Sequence, residues 1–238
     1  MQELRSPVRY SECDENGRLS LGGLVNYFQD TAEYQGDCSG IGYKVLKEQN
    51  LAWLLSSWQI VIPGQLPEMG HMVTSQTWCY EFRGIYGLRN FRLLDENGRA
   101  AAWANSIWFL YDSEKGLPVR VTKQIADGFG IEEKLDMDYS PRKIPPVEGG
   151  DRGESFEVAR QHLDTNHHVN NQQYIRMAMD SLPADIHFTE MRAEYRRQAF
   201  LGDVIVPWTE KRDGRRAALA VSLKDEAGAV FMTAEFLE

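Results

Sequence analysis

Leu163-Asp164-Thr165-Asn166-His167-His168-Val169-Asn170-Asn171 joins a carboxylate, an amide and an imidazole to a segment with helical spacing. Asp164, Asn166 and His168 alternate, so an extended chain would place these three side chains on one face. A helix is then expected to start near Asn170 or Asn171, because either residue can cap it. Its buried face is indicated by the i, i+3, i+4, i+7 series Tyr174, Met177, Ala178 and Ser181.

This arrangement supplies the parts of an acyl-transfer or hydrolysis site. Such a site needs a base, an orienting group and a pocket that stabilises negative charge. The amino end of a helix favours negative charge through its free N–H groups and its dipole. The same residue types are also ordinary turn and cap formers, in which a His is structural. Spacing alone therefore leaves a catalytic and a structural interpretation open.

A metal site is not favoured. His167 and His168 would point to opposite sides of a strand, and no Cys or Glu completes a ligand spacing.

The motif has a counterpart earlier in the chain. With Val8 laid on Val158 and no gaps, the aligned pairs are Asp14 and Asp164, Asn16 and Asn166, Leu19 and Val169, and Asp30 and Asp180. The stretch 94–98 likewise resembles 224–228. Arg18 takes the place of His168, and an Arg cannot act as a base near neutral pH. The sequence therefore predicts a duplicated unit with one active site, in the second copy.

The first copy predicts an α+β layer in which a curved antiparallel sheet wraps a single helix. That helix is capped by Ser20, starts at Leu21 and stops near Gly36. The other predicted elements are helices at 43–48 and 123–129 and strands at 8–14, 51–62, 72–82, 86–95 and 100–112. Residues 113–154, rich in Pro, Gly and charge, are expected to connect a domain at 1–112 to one at 155–238.

Composition excludes several classes of protein. A net charge of −9 argues against nucleic acid as the main partner. The chain has no long apolar run and no apolar core at its amino terminus, so neither a membrane span nor a signal peptide is expected. Cys13, Cys38 and Cys79 are scattered without CxxC spacing, which fits reduced thiols. A cytoplasmic protein is therefore expected.

The Asp164 motif, then Tyr174, then Glu194-Tyr195-Arg196-Arg197, resembles the signature of acyl-[acyl carrier protein] thioesterases, most of all the bacterial branch. The resemblance extends across nearly the whole chain. It implies two hotdog folds in tandem and hydrolysis of the thioester between a fatty acid and the phosphopantetheine arm of acyl carrier protein. It implies no cofactor.

The resemblance also assigns site residues. Asn166 and His168 match the family's catalytic Asn and His, and Asp164 matches the acid beside them. Plant members have a Glu-Cys pair where this chain has Gln198 and Ala199. That difference removes a thiol nucleophile, although the Gln198 amide can still hold a water. We therefore expect direct attack by water, with His168 as general base.

The acyl chain is expected to lie in an apolar tunnel along the first helix, within the domain at 1–112. Plain core packing is the alternative for each candidate lining residue, namely Leu24, Phe28, Trp53 and Trp58. Docking of an acidic carrier protein requires a local basic patch. The candidates for it are Arg120, Lys123, Arg142, Lys143, Arg192, Arg196 and Arg197.

Three other functions remain as alternatives. They are an acyl-CoA thioesterase, a hotdog hydratase or dehydratase, and a non-catalytic protein that binds acyl thioesters. The sequence leaves the chain-length preference open, and it fits a monomer or a homodimer.

Overall fold

The computed structural model describes residues 1–184, 186–214 and 216–238. Within them the chain has an α+β architecture, as expected. The helices are α1 (Leu21–Cys38), α2 (Tyr43–Glu48), α3 (Lys123–Phe129) and α4 (Asn171–Met179). The strands are β1 (Gln2–Pro7), β2 (Leu51–Val61), β3 (Met72–Arg83), β4 (Tyr86–Leu94), β5 (Ala100–Asp112), β6 (Leu117–Pro118), β7 (Asp151–Arg152), β8 (Phe156–Glu157), β9 (Glu190–Tyr195), β10 (Val204–Arg212), β11 (Ala218–Lys224) and β12 (Val230–Leu237).

The chain divides into two compact units. The first unit contains Met1–Ser56 and Ile60–Ser140, and the second contains Ser57–Gln59 and Pro141–Glu238. In the first unit the strand order is β1-β3-β4-β5-β2, with β6 on β5. In the second it is β7-β10-β11-β12-β9, with β8 on β10. Because the strands occur in matching order along the chain, the two units repeat one topology.

Helix α1 forms the core of the first unit against its sheet. The Ser20 hydroxyl accepts a hydrogen bond from the Gly23 N–H at 3.0 Å, which starts the helix as predicted. The buried face of the helix carries Phe28, whose ring centroid lies 5.0 Å from that of Phe91 in β4. Apolar residues at helical spacing thus place one face of α1 on the sheet.

Helix α4 occupies the corresponding place in the second unit. The Asn170 side chain caps it by accepting from the Gln172 N–H at 2.9 Å. Its buried residues are Tyr174, Ile175, Met177 and Ala178, and the helix packs on β11 and β12.

The segment 131–140 crosses the opposite face of the first sheet. The Trp78 indole N–H donates to the Glu133 carbonyl at 2.8 Å, and the Asn90 side-chain oxygen accepts from the Leu135 N–H at 3.1 Å. This contact covers a second cluster of buried side chains, which contains Trp78, Tyr80 and Leu88.

The Pro-rich segment 141–147 is an ordered strap on the second unit. Ile144 and Val147 are buried, and the Ile144 N–H donates to the Glu194 carboxylate at 2.9 Å. Basic side chains hold its carbonyl oxygens: Arg192 binds that of Pro141, Arg196 that of Ile144, Arg212 that of Pro145 and Lys224 that of Val147. Two of the residues considered for carrier-protein docking, Arg192 and Arg196, therefore serve an intramolecular role.

The prediction of a strand at 8–14 is wrong. The strand is β1, which ends at Pro7, and Tyr10–Glu12 forms a 3-10 helix. The Glu12 carboxylate accepts from the Arg9 N–H at 2.8 Å, and this local side-chain bond favours a turn over an extended chain. The helices expected at 43–48 and 123–129 and the strand at 100–112 are confirmed at both ends.

No helix in the described ranges combines the length and the apolar character that crossing a membrane requires.

We predict that Ile144→Ala destabilises the protein by about 2–5 kcal/mol, because Ile144 is 1% exposed and the change leaves a cavity beneath the strap. Chemical denaturation measures the effect. Ile131→Ala is the matched control, since Ile131 is 62% exposed and its loss should cost less than about 0.5 kcal/mol. Equal stability of the two variants would show that the strap is not part of the folded core.

Candidate active site

The residues of the predicted trio lie in a tight turn and not in an extended strand. The Asp164 N–H donates to the His168 carbonyl at 2.8 Å, and the His167 N–H donates to the Asp164 carbonyl at 3.1 Å. The Asp164 Oδ1 accepts from the backbone N–H groups of Asn166 at 2.8 Å and His168 at 3.3 Å. The expected alternation is therefore replaced by Asx-turn chemistry, because the short carboxylate competes for the local backbone donors.

The first unit contains the same turn. The Asp14 Oδ1 accepts from the N–H groups of Asn16 at 2.9 Å and Arg18 at 3.0 Å, and the Asp14 N–H donates to the Arg18 carbonyl at 2.7 Å. Gly17 has φ 73° and the corresponding His167 has φ 62°. The internal echo noted in the sequence is thus a repeated piece of structure, with Arg18 where the second unit has His168.

A loop distant in sequence joins this turn. The Val169 N–H donates to the Ala199 carbonyl at 3.0 Å, and the Ala199 N–H donates to the Tyr174 hydroxyl at 2.7 Å. The half-buried Gln198 therefore lies in the loop that pairs directly with the residue after His168. The structure brings Asp164, Asn166, His168 and the Gln198 loop together in one region of the second unit.

His168 is half-buried, and one side of its ring is covered by Phe200. The two ring centroids lie 5.1 Å apart with an interplanar angle of 84°. Burial lowers the pKa of the His168 imidazole below its usual range; the negative charge of Asp164 raises this pKa and the neighbouring His167 lowers it. The ring is consequently neutral near pH 7 and can accept a proton.

The backbone at the amino end of α4 is already engaged in hydrogen bonds. The N–H groups of His168, Val169, Asn170, Gln172, Gln173 and Tyr174 all have acceptors within the protein. The expectation that these N–H groups stabilise a developing oxyanion is therefore wrong for these six. Asn166 is exposed on the same turn.

Two tyrosines, Tyr174 and Tyr195, pack beside the residues that follow the turn. The Tyr174 and Tyr195 rings meet edge to face at 5.9 Å, and the Tyr195 hydroxyl donates to the Asn171 carbonyl at 2.9 Å. Burial raises the pKa of Tyr174 to about 12, so its hydroxyl stays neutral. Both tyrosines belong to the motif quoted from the sequence. Phe200 was missed, because nothing in its local sequence shows which residue it contacts.

The structure does not place the four candidate acyl-chain residues in one unit: Leu24, Phe28 and Trp53 belong to the first and Trp58 to the second. Leu24 and Phe28 are fully buried on α1, and Trp58 is 2% exposed on β2. Trp53 is half-buried and packs against the rings of Phe82 and Phe129 at centroid distances of 6.3 and 6.4 Å.

Comparisons with known proteins agree with the motif. A family model described as the acyl-ACP thioesterase N-terminal domain matches residues 3–129, and one described as the C-terminal domain matches 149–235. A chloroplastic acyl-[acyl-carrier-protein] hydrolase of Cuphea viscosissima is 23% identical over 218 residues, which cover 83% of this chain and 51% of that protein. The chloroplastic oleoyl-acyl carrier protein thioesterase 1 of Arabidopsis thaliana is 26% identical over 220 residues, covering 83% and 60%. The chain thus spans about half the length of the curated relatives that it matches.

Solved structures share the fold. A crystal structure of an acyl-ACP thioesterase from Bacteroides thetaiotaomicron has a TM-score of 0.89 at 22% identity, and the match covers 99% of this chain and 97% of that one. The 12:0-ACP thioesterase of Umbellularia californica has a TM-score of 0.83 at 18% identity, with 98% and 95% covered. The tandem hotdog fold predicted from the sequence is confirmed.

We predict that Asp164→Asn lowers the pKa of His168 further, because the carboxylate charge that raises it is removed. The Asn side-chain oxygen can still accept the two N–H bonds of the turn. NMR titration of the His168 ring measures the change.

The matched control is Asp14→Asn, which makes the same change in the other turn. It should leave the His168 pKa where it is, because Asp164 and His167 are the ionisable groups that act on that ring. An identical His168 titration in Asp164→Asn and the unmodified protein would contradict the electrostatic link.

Proposed function

The chain belongs to the acyl-ACP thioesterase family, and on that premise we propose that it hydrolyses the thioester joining a fatty acyl chain to acyl carrier protein. One observation carries the proposal above the others. The turn formed by Asp164 at the start of α4 carries His168, whose imidazole is half-buried, and this burial lowers its pKa. The matching turn of the first unit carries Arg18, which is permanently charged. On this proposal the general base belongs to the second repeat, and Arg18 in the first repeat cannot serve as one.

His168 acts on a water molecule and not on a protein nucleophile. The neutral imidazole removes a proton from water as the oxygen attacks the thioester carbonyl, and a tetrahedral oxyanion forms. Collapse of that intermediate breaks the C–S bond, and the imidazolium returns the proton to the departing thiolate. Ala199 supports this route, because it stands where plant members of the family have a Cys and has no group that can attack.

Asp164 and Asn166 act around the base. Asp164 holds the backbone of both Asn166 and His168 through its Oδ1, so it fixes where the two side chains emerge. Its charge also favours the imidazolium that forms during the reaction. The Asn166 amide donates to the carbonyl oxygen as that oxygen gains charge, and the Gln198 amide positions the attacking water.

The acyl chain binds in the N-terminal hotdog, at residues 1–112, alongside α1. The buried face of this helix presents Leu24 and Phe28, and β2 contributes Trp53 from the same unit. Trp58, the fourth candidate, falls in the second unit and is not part of this lining. Apolar lining of this kind suits an alkyl chain. The catalytic hotdog is the second unit, whose continuous part begins at Pro141 and includes the strap and β7.

Acyl carrier protein is the partner that the family implies, with acyl-CoA as the competing thioester donor. Comparison of the two thioesters at equal concentration distinguishes them. Exposed basic side chains such as Arg120 and Lys143 are available to an acidic carrier surface, whereas Lys123 is paired with Asp127 at 2.5 Å. We place the reaction in the cytosol, which fits three free cysteines.

We predict that His168→Ala lowers turnover about 10²- to 10⁴-fold, the usual contribution of a general base. Release of thiol from acyl carrier protein thioesters measures the rate, and circular dichroism verifies folding. Arg18→Ala is the position-matched control in the first unit, and it should retain the rate because Arg18 cannot act as a base. Full turnover by a folded His168→Ala enzyme would rule out the assigned role.

We predict that Trp53→Leu shifts the preferred substrate toward longer acyl chains while hydrolysis continues, since it vacates space beside Phe82 and Phe129. Each methylene accommodated in an apolar pocket is worth about 1–3 kcal/mol in specificity. A series of acyl carrier protein thioesters of graded length measures the profile. Trp208→Leu, at a half-buried Trp of β10, is the control. An unchanged profile in Trp53→Leu would place the acyl chain elsewhere.

A further inference from the structure

The loops that follow β2 and β9 are repeated with the same hydrogen bonds. The Leu19 N–H donates to the Pro67 carbonyl at 2.9 Å, as the Val169 N–H donates to the Ala199 carbonyl at 3.0 Å. The bond from the His71 N–H to the Glu68 carbonyl, 3.1 Å long, matches the 3.1 Å bond from Asp203 to Phe200. Gly70 and Gly202 have φ 84° and 86°. Glu68 and Phe200 therefore occupy equivalent positions.

These two residues make equivalent contacts of opposite chemical character. In the first unit a Glu68 carboxylate oxygen lies 2.6 Å from the Arg18 guanidinium. In the second unit the Phe200 ring meets the His168 ring edge to face at a centroid distance of 5.1 Å. Each loop thus delivers a side chain to the residue at the end of the Asp turn. A carboxylate is delivered to the charged Arg, and a hydrocarbon to the imidazole.

The position of the Phe200 side chain is not explained by packing in the hydrophobic core. Its side chain is 49% exposed, as is that of the next residue, Leu201, at 53%. The backbone that carries the ring beside His168 is nevertheless fixed, because the Phe200 N–H donates to the Asp203 carboxylate at 2.9 Å. The Asp203 carbonyl in turn accepts from the Val158 N–H at 2.8 Å. The contact with His168 is therefore built into the loop.

We propose that Phe200 is a positioning residue for His168. Its ring orients the imidazole and favours the neutral form, because it puts a hydrocarbon where the other repeat has the carboxylate of Glu68. The proposal rests on the proposed function in one respect, the role of His168 as the base. Its physical content is independent of that role. A carboxylate within about 4–6 Å stabilises a protonated imidazole, whereas an aromatic ring removes water and disfavours the charge.

The charged and titratable groups around His168 are consistent with this assignment. Asp164 on its own turn raises its pKa and His167 lowers it, and burial lowers it most. On α4, Tyr174 is a neutral phenol whose hydroxyl accepts a hydrogen bond from the Ala199 N–H. In the neighbouring loop, the Asp203 carboxylate accepts one from the Phe200 N–H. Arg197 at the start of the loop is paired with Asp225 at 2.6 Å.

The test compares Phe200→Glu, Phe200→Tyr and Leu201→Glu in the full chain. NMR titration of the His168 ring and the pH profile of kcat/KM are the two measurements. Phe200→Glu is expected to raise the His168 pKa and to move the acidic limb of the profile to higher pH, because activity requires the neutral ring. Phe200→Tyr keeps the aromatic contact and should retain both values. Leu201→Glu adds the same charge one residue away on an exposed side chain and should change the His168 pKa less than Phe200→Glu does.

The NMR titration requires no turnover, so the two proposals fail separately. A raised His168 pKa in Phe200→Glu supports the positioning role even if the unmodified protein hydrolyses no thioester. Equal His168 pKa values in the unmodified protein and Phe200→Glu, or equal shifts in Phe200→Glu and Leu201→Glu, would overturn it. Circular dichroism and the unaltered His162 resonance serve as checks on folding.

Discussion

The hydrogen bonds from two backbone N–H groups to one oxygen of Asp164 are the constraint on which the site depends. They close the turn that carries Asn166 and His168. Asp164, the acid of the predicted trio, thus acts first on the backbone. Because Asp14 makes the same bonds in the first unit, the turn is a structural device, and the chemistry depends on the side chain that it carries.

The two units show how one backbone supports two electrostatic environments. Arg18 is permanently charged and takes a carboxylate from the loop after β2 as its partner. His168 takes a phenyl ring from the matching loop, and burial keeps its pKa low. An ion pair is the stable arrangement for a guanidinium, whereas a base that works near neutral pH must remain uncharged. Under the proposed function the second copy performs the hydrolysis, and the first copy keeps the same turn without a base.

The sequence predicted what is encoded locally. The Ser20 and Asn170 caps, the ends of α2 and α3 and the echo of Asp14 in Asp164 all depend on residues a few positions apart. The sequence did not show that the loop carrying Gln198 and Phe200 returns to Val169, since that pairing joins distant residues. Nor could it show that Arg192 and Arg196 hold the strap, because a charged side chain does not reveal its partner. Asp164, Asn166 and His168 were expected on a strand and lie in a turn. Alternating residues share one face only if the backbone is extended, and the sequence pattern does not show whether it is.

The most direct test of the account is an NMR titration of the protein with an acyl-pantetheine thioether, an analogue that cannot be hydrolysed. If the neutral imidazole of the second unit faces the thioester, the His168 ring resonances shift and saturate at one analogue per chain. Saturable binding that leaves the His168 resonances unmoved, or that requires two analogues per chain, would contradict a single site built on the Asp164 turn.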